Sequence, residues 1–509
     1  MFAKTYGATT IGVDGILIDV EVDAAFGFPG FDIVGLPDTS VKEAKERVRT
    51  AIKNSGIKLK QEKVTINLAP ADIRKDSSGL DLPIAIGLLT AYGMIPAAKL
   101  DGCLFAAELS LEGALRGIHG ILPIAIHAKK RGFSKLFVAS ENVNEALLVE
   151  DLDVYAMKDL NELVAFLLGE EGRMPNLPKA HPGLAVDFGM DDFSDVQGQF
   201  FAKRALEIAA AGGHNVLMVG VPGAGKTMLA RRLPSILPEM LRQEALEVTK
   251  IYSIAGLLQN NGGLITKRPF RSPHHTTSST AMIGGGSIPR PGEVTLSHNG
   301  VLFLDELPEF GKSTLEVLRQ PLEDRVVTIS RVHASLTFPS NMILVCAMNP
   351  CPCGWNGDRD HPCECTPNEI KRYTRKISGP LLDRIDIHIR VPRVEYKDLT
   401  SNNKAESSAE IRERVKAARI IQAERLQNYK LFCNAQMNHA MLRKTCQLTN
   451  PAQQLLEQVF KKMNLSARSY DRIIKVSRTI ADLEKEDLIQ EKHIAEAIQL
   501  RNDIGLDLN

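Results

Sequence analysis

Gly220-Val221-Pro222-Gly223-Ala224-Gly225-Lys226-Thr227 is the stretch that decides the fold. It follows the apolar run Asn215 to Val219 and precedes a helical pattern from Met228 to Leu233. That strand, turn and helix setting is the one in which this spacing binds phosphate. Gly220, Val221, Pro222, Gly223, Ala224 and Gly225 supply a backbone whose N–H groups can curl around phosphate oxygens, and the helix N-terminus adds partial positive charge. Lys226 can then reach the β and γ phosphates of a nucleotide, and the Thr227 hydroxyl can ligate Mg2+.

Working outward, a second buried run, Val301-Leu302-Phe303-Leu304, ends in Asp305-Glu306. Asp305 is expected to hold the Mg2+ through water, and Glu306 to orient and deprotonate an attacking water. A third run, Met342 to Val345, leads through Ala347-Met348 to Asn349, whose neutral amide would meet the γ-phosphate or the water. Strand and helix patterns alternate from Phe193 to about Val394, so the expected fold is α/β, a parallel sheet in a nucleotide-binding domain. Beyond Val394 the pattern turns helical. Asn450-Pro451 reads as an N-cap followed by a first-turn proline, and Leu455, Leu456, Val459, Phe460 and Met463 recur on one face. Two more helices are expected near Ser469 to Leu483 and Glu491 to Arg501.

Residues 1–168 mix β-rich runs (Gly15 to Val22, Val64 to Leu68) with a helical pattern from Ser40 to Asn54, an α+β or α/β signature. Residues 169–190 carry Gly172, Pro175, Pro178 and Pro182 without apolar periodicity and read as a linker. The expected division is therefore 1–168, linker, 191–394 and 395–509. A length of 509 residues agrees with about three domains at roughly 150 residues each. The apolar stretch Leu82 to Ala98 is broken by Pro83, Gly87, Gly93 and Pro96 and is shorter than the roughly 20 residues of a membrane span, so it reads as core. No apolar secretory segment follows Met1, and a cytoplasmic protein is expected.

Sixty-two Lys and Arg against sixty-one Asp and Glu leave a formal charge of +1, so any basic surface must be local. Of eight cysteines, Cys351, Cys353, Cys363 and Cys365 fall within fifteen positions, a set suited to tetrahedral Zn2+ although Cys-x-Cys is tighter than the usual spacing. A closed four-thiolate site would be a structural clip on the loop after Asn349, with His361 as a substitute ligand. Metal-free reduced thiols are the alternative. Cys103, Cys346, Cys433 and Cys446 read as isolated core residues.

Taken with Leu381-Leu382-Asp383-Arg384-Ile385-Asp386 and Ser466-Ala467-Arg468-Ser469-Tyr470-Asp471-Arg472, these motifs resemble the ComM/YifB family of magnesium-chelatase-like AAA+ ATPases over nearly the whole chain. The resemblance implies that Asn349 is sensor 1, that Arg384 is a finger reaching a neighbouring subunit's ATP, and that Arg468 of a helical lid is sensor 2. A trans-acting arginine makes turnover depend on assembly, so a homo-oligomeric ring, a hexamer in this family, is implied. The first domain resembles a Lon-protease-like fold of the ribosomal S5 domain 2-like kind. By motif, Gly79 stands at the nucleophile position and Leu122 near that of the lysine base, so no peptidase activity is expected despite Ser77 and Ser78 nearby.

Two insertions fall where ring ATPases of this group place pore-facing loops. One, 267–293, carries Lys267, Arg268, Arg271, His274, His275 and Arg290; the other, 326–339, is an expected hairpin with Arg331 and His333. Repeated around a ring they would concentrate positive charge on DNA, although no aromatic platform is evident and Phe270 stands alone. The family implies a DNA helicase for branch migration in natural transformation. The rivals are an ATPase that remodels protein complexes and the ATPase subunit of a metal chelatase.

Overall fold

Four- to six-residue strands with apolar side chains on both faces suit the middle of a parallel sheet covered by helices on each side. Val216–Val219, Val301–Leu304 and Ile343–Met348 are of this kind, each buried along its whole length. In the computed structural model they pair in parallel within a five-stranded sheet, in the order Phe270–Arg271, Val301–Leu304, Ile343–Met348, Val216–Val219, Ile387–Arg390. The structure describes residues 1–36, 38–60, 62–73, 75, 78–169, 191–258, 263–286, 289–331, 334–358, 360–394, 405–429, 431–462 and 466–502. The expected linker, with Ser77, His333 and Met463, lies outside those residues apart from Gly169.

The chain divides into two compact units, Met1–Val186 with Arg242–Thr266, and Asp187–Leu241 with Lys267–Asn509. This differs from the expected division in two ways. The helices after residue 405 do not stand apart from the sheet: Ile411, Val415, Ile473 and Ile480 share one apolar core with Val216, Phe303 and Val345. The excursion Arg242–Thr266, expected within the nucleotide-binding domain, packs with the first unit. Its helix Arg242–Ala255 buries Ala245, Val248 and Ile251, Lys250 pairs with Asp14 at 2.9 Å, and the Ser253 hydroxyl donates to Glu145.

The first unit holds a four-stranded sheet ordered Phe2–Ile11, Asp14–Ala25, Lys63–Ala69, Gly30–Val34, and a three-stranded parallel sheet of Cys103–Ala106, Lys135–Ala139 and Asp153–Met157. Ile18, Val20, Val22 and Ala24 alternate inward on one strand, as a half-buried sheet requires. The helix Asp81–Ala91 is buried throughout, which accounts for its nearly unbroken apolar sequence. Its leading Asp81 is paired with Arg47 at 2.9 and 3.0 Å.

In the second unit Ser407 caps the helix Ser408–Leu426, with Glu410 reaching back to the Ser407 N–H at 2.9 Å. The C-terminal helices fall where the pattern put them, at Asn450–Lys462, Ala467–Leu483 and Glu491–Asn502. The first of them starts one residue early: Asn450 is already helical and the Thr449 carbonyl accepts from Gln453. Its buried stripe is also narrower than expected, because Phe460 is 39% exposed and rests edge-on against Tyr470.

Candidate active site

The phosphate loop leaves the strand Val216–Val219, which lies between Ile343–Met348 and Ile387–Arg390 where the strand order reverses. Such switch points open a crevice at the carboxyl ends of the strands, where nucleotides bind in α/β sheets. Gly225 sits at φ 88° immediately before the helix Lys226–Ile236, a left-handed backbone that a side chain would oppose. Lys226 folds over the loop: its ammonium donates to the carbonyls of Gly220 at 2.6 Å and Val221 at 3.0 Å and to Asn349 Oδ1 at 3.1 Å. These three acceptors match its three protons, and burial lowers its pKa below the ordinary lysine value. Lys226 and Asn349, far apart in sequence, thus meet.

Thr227 Oγ1 donates to Asp305 Oδ2 at 2.8 Å. A hydroxyl and a carboxylate adjoining at the loop's helix N-terminus are oxygen donors of the type Mg2+ takes, so these residues fit that ion. Glu306 follows with an exposed carboxylate and φ 52°, a conformation that costs a non-glycine residue about 1 kcal/mol. His275 Nδ1 lies 3.4 Å from Glu306 Oε2, a neighbour that reading the sequence for basic loops did not reveal.

Arg384 is placed differently from Lys226 and Asn349. Its side chain is 6% exposed, with Nη2 2.5 Å from Glu323 and Nη1 donating to the Pro380 carbonyl at 2.6 Å. Arg468 is exposed in the first turn of the helix Ala467–Leu483. Neither is brought to the phosphate loop of its own chain by a hydrogen bond among the described residues. Arg472, to which the motif assigned no role, pairs with the buried Asp386 just before the strand Ile387–Arg390. Burial opposes charge on Asp386, yet Arg472 and His214 hold its carboxyl well below the usual range. The pair ties the lid helix to the sheet.

The basic loops are more committed than expected. Arg268 donates to the carbonyls of Pro238 at 2.7 Å and Asn299 at 2.8 Å, and Arg271 forms a two-pronged pair with Glu293 at 2.7 Å. Their guanidiniums satisfy groups of their own chain, as does Phe270, which stacks on Phe303 at 6.0 Å and is not isolated. Lys267 is half-buried and Arg290 exposed. Arg331 ends the first strand of the hairpin Val326–Arg331 and Ala334–Pro339, which forms as expected. In the first unit Gly79 and Leu122 are buried, and the Leu122 N–H donates to Glu145 at 2.7 Å.

The four clustered cysteines converge. Cys351 Sγ lies 3.3 Å from Cys353 Sγ and 3.7 Å from Cys363 Sγ, Cys353 and Cys363 are 3.6 Å apart, and all four sulfurs lie within 4.8 Å of one another. Tetrahedral Zn2+ at about 2.3 Å from each sulfur would set them about 3.8 Å apart. The N–H groups of Asn356 and Cys353 donate to Cys351 Sγ and Cys365 Sγ at 3.3 and 3.4 Å. Backbone donation from Trp355 brings the Cys353 thiol down to about 6. Burial pushes Cys351 up, and against backbone donation, burial and the neighbouring thiols hold Cys363 and Cys365 above the ordinary value, so of the four only Cys353 is shifted toward the thiolate a metal needs. His361 stacks on Trp355 and pairs with Asp358, outside the sulfur cluster.

A phosphate loop at the reversal of a five-stranded parallel sheet, with an acidic pair and an asparagine on the neighbouring strands and helices sharing the same core, defines an AAA+ nucleotide-binding protein. The chain belongs to the ComM/YifB family of magnesium-chelatase-like AAA+ proteins. Residues 192–399 match the family described as magnesium chelatase, subunit ChlI; residues 20–142 match subunit ChlI of Mg-chelatase; and residues 405–501 match the subunit ChlI C-terminal family. Competence protein ComM of Haemophilus influenzae is 45% identical over 506 residues, covering 98% of this chain and 97% of the relative. The uncharacterized protein YifB of Escherichia coli is 45% identical over 498 residues, 96% of this chain and 95% of the relative. The magnesium-chelatase 67 kDa subunit of Chlorobaculum parvum is 26% identical over 164 residues, 31% of this chain and 23% of the relative. No described helix is long and apolar enough to cross a membrane.

Proposed function

We propose that this chain is the subunit of a cytoplasmic ring, a hexamer, that hydrolyses ATP to move on single-stranded or branched DNA and so supports recombination during natural transformation. The observation that carries the ATPase reading is the pairing of Lys226 with Asn349 and of Thr227 with Asp305 around one loop. Gly220 to Gly225 cradle the phosphates, Lys226 neutralises them, and Glu306 orients the attacking water and takes its proton. Thr227 and Asp305, the latter through water, would hold Mg2+, which would supply charge neutralisation to the phosphates. Asn349 reads the γ-phosphate, Arg468 closes the lid over it, and Arg384 acts on the neighbouring subunit's nucleotide once assembly draws it from Glu323. Cys351, Cys353, Cys363 and Cys365 hold a structural Zn2+.

The DNA reading draws its support from the near full-length similarity to a protein named for competence and from Lys267, Arg290 and Arg331 on the two loops. Arg268 and Arg271 add less, since they are tied to Asn299 and Glu293, and the rival that remains is remodelling of a protein complex. The chelatase reading is weaker because that relative matches only 31% of the chain. Steady-state ATP hydrolysis with single-stranded, duplex and four-way-junction DNA across a salt series, with Lys226→Ala as the blank, separates them. Stimulation that fades with salt is expected. A robust basal rate that no DNA changes would overturn the DNA reading and direct the search to a protein substrate.

A further inference from the structure

The cysteine cluster is built into the wall of the nucleotide site, at three points. Upstream, only Pro350 separates Cys351 from Asn349, the acceptor of the Lys226 ammonium. In the middle, Gly354 follows Cys353 at φ 89° and lies so close to the phosphate loop that a Cβ there would sit 2.8 Å from Cγ and Cδ of Pro222. Downstream, Cys365 leads through Thr366 into the helix Pro367–Thr374, whose buried Tyr373 lies within electrostatic reach of Cys351, Glu306 and the Asn349 backbone. Between Asn349 and that helix the described residues form only turns and bends. Trp355 packs on the core and stacks on His361, and the four sulfurs gather the two ends of the turn to a single point.

The geometry points to a nucleotide site gated by metal occupancy: Zn2+ on Cys351, Cys353, Cys363 and Cys365 holds Gly354 against Pro222 and Asn349 against Lys226, and thereby sets ATP affinity. This rests on the reading of the cluster as a metal site. Without a central cation, four sulfurs drawn within 4.8 Å have only weak hydrogen bonds to hold them together. Once they separate, Gly354 withdraws from Pro222 and the loop loses its outer support. The coupling runs both ways, because a ligand that needs the closed wall tightens the metal by the same factor that the metal tightens the ligand.

The test measures zinc content and the affinity for a fluorescent ATP analogue on the full chain, with circular dichroism to follow helix content. Wild-type protein is expected to carry one zinc per chain. Stripping with a zinc-selective chelator that spares Mg2+ should weaken nucleotide binding about tenfold, within the usual range of couplings between sites, and one equivalent of Zn2+ should restore it. Cys363→Ser should lose zinc with the same shift. Gly354→Ala, which crowds Pro222 but removes no ligand, should keep its zinc and still bind nucleotide more weakly. Unchanged affinity in stripped protein of native helix content, or in zinc-loaded Gly354→Ala, overturns the coupling while leaving the metal site standing. Reduced protein that neither holds nor takes up zinc overturns the metal reading itself. Should stripping unfold the chain, Gly354→Ala decides the matter alone.

Discussion

Lys226 and Glu306 separate binding from turnover at the scale of single residues. The Lys226 ammonium spends its three protons on Gly220, Val221 and Asn349, so a nucleotide's phosphates replace carbonyl partners without leaving a bare buried charge. Lys226→Ala is expected to abolish ATP binding, read by the fluorescent analogue. Glu306 lies outside that cluster, on a left-handed backbone beside His275. Glu306→Gln should keep ATP affinity within a few-fold and cut the hydrolysis rate by about a hundredfold or more, the usual contribution of a general base. Hydrolysis at the wild-type rate would remove Glu306 from the reaction. Its nearest partner belongs to the loop 267–293, so that loop's position bears directly on the carboxylate.

Among elements, the helix Arg242–Ala255 carries the clearest pH-dependent contact. Its Ser253 hydroxyl and the Leu122 N–H both serve Glu145, whose carboxyl burial pushes up to about 7 from an ordinary 4.5. An acid with a raised pKa binds more protons folded than unfolded, so stability is unaffected below about pH 4.5 and falls as pH rises to about 7. The full loss is about 3 kcal/mol, and Glu145→Gln, neutral throughout, should escape it. Hydrogen exchange of the helix amides at pH 5 and pH 8 should show the variant gaining on wild type only at the higher pH; parallel profiles would count against the raised pKa. This helix also marks where the sequence stopped being legible. Phosphate loop, acidic pair, Asn349 and cysteine cluster could be read because their chemistry is tied to local spacing. The docking of Arg242–Thr266 on the first unit could not, since it hangs on Glu145 and Asp14, about a hundred and more than two hundred residues away. Arg268 and Arg271 looked like free charge for the same reason: their partners Asn299 and Glu293 become neighbours only through the fold.

For the molecule as a whole, Arg384 poses the question of assembly. A guanidinium 6% exposed and paired with Glu323 cannot reach a nucleotide on another subunit without leaving that pair. Among the described residues its buried Nε has no hydrogen-bond partner, so the resting arrangement is incompletely satisfied there and a better set of acceptors would compete for it. The phosphates of a neighbour's ATP are such acceptors, planar and two-pronged recognition being what arginine does best. Arg384→Ala should therefore bind ATP with unchanged affinity, because its own site is intact, and lose turnover, because its neighbour's is not. Mixing it with Lys226→Ala provides the decisive case. At some interfaces the Lys226→Ala subunit offers its intact Arg384 to the intact loop of an Arg384→Ala subunit, and a fraction of the activity should return in proportion to those mixed interfaces. Two inactive proteins that stay inactive at every ratio, while gel filtration shows that they co-assemble, would confine Arg384 to its pair with Glu323.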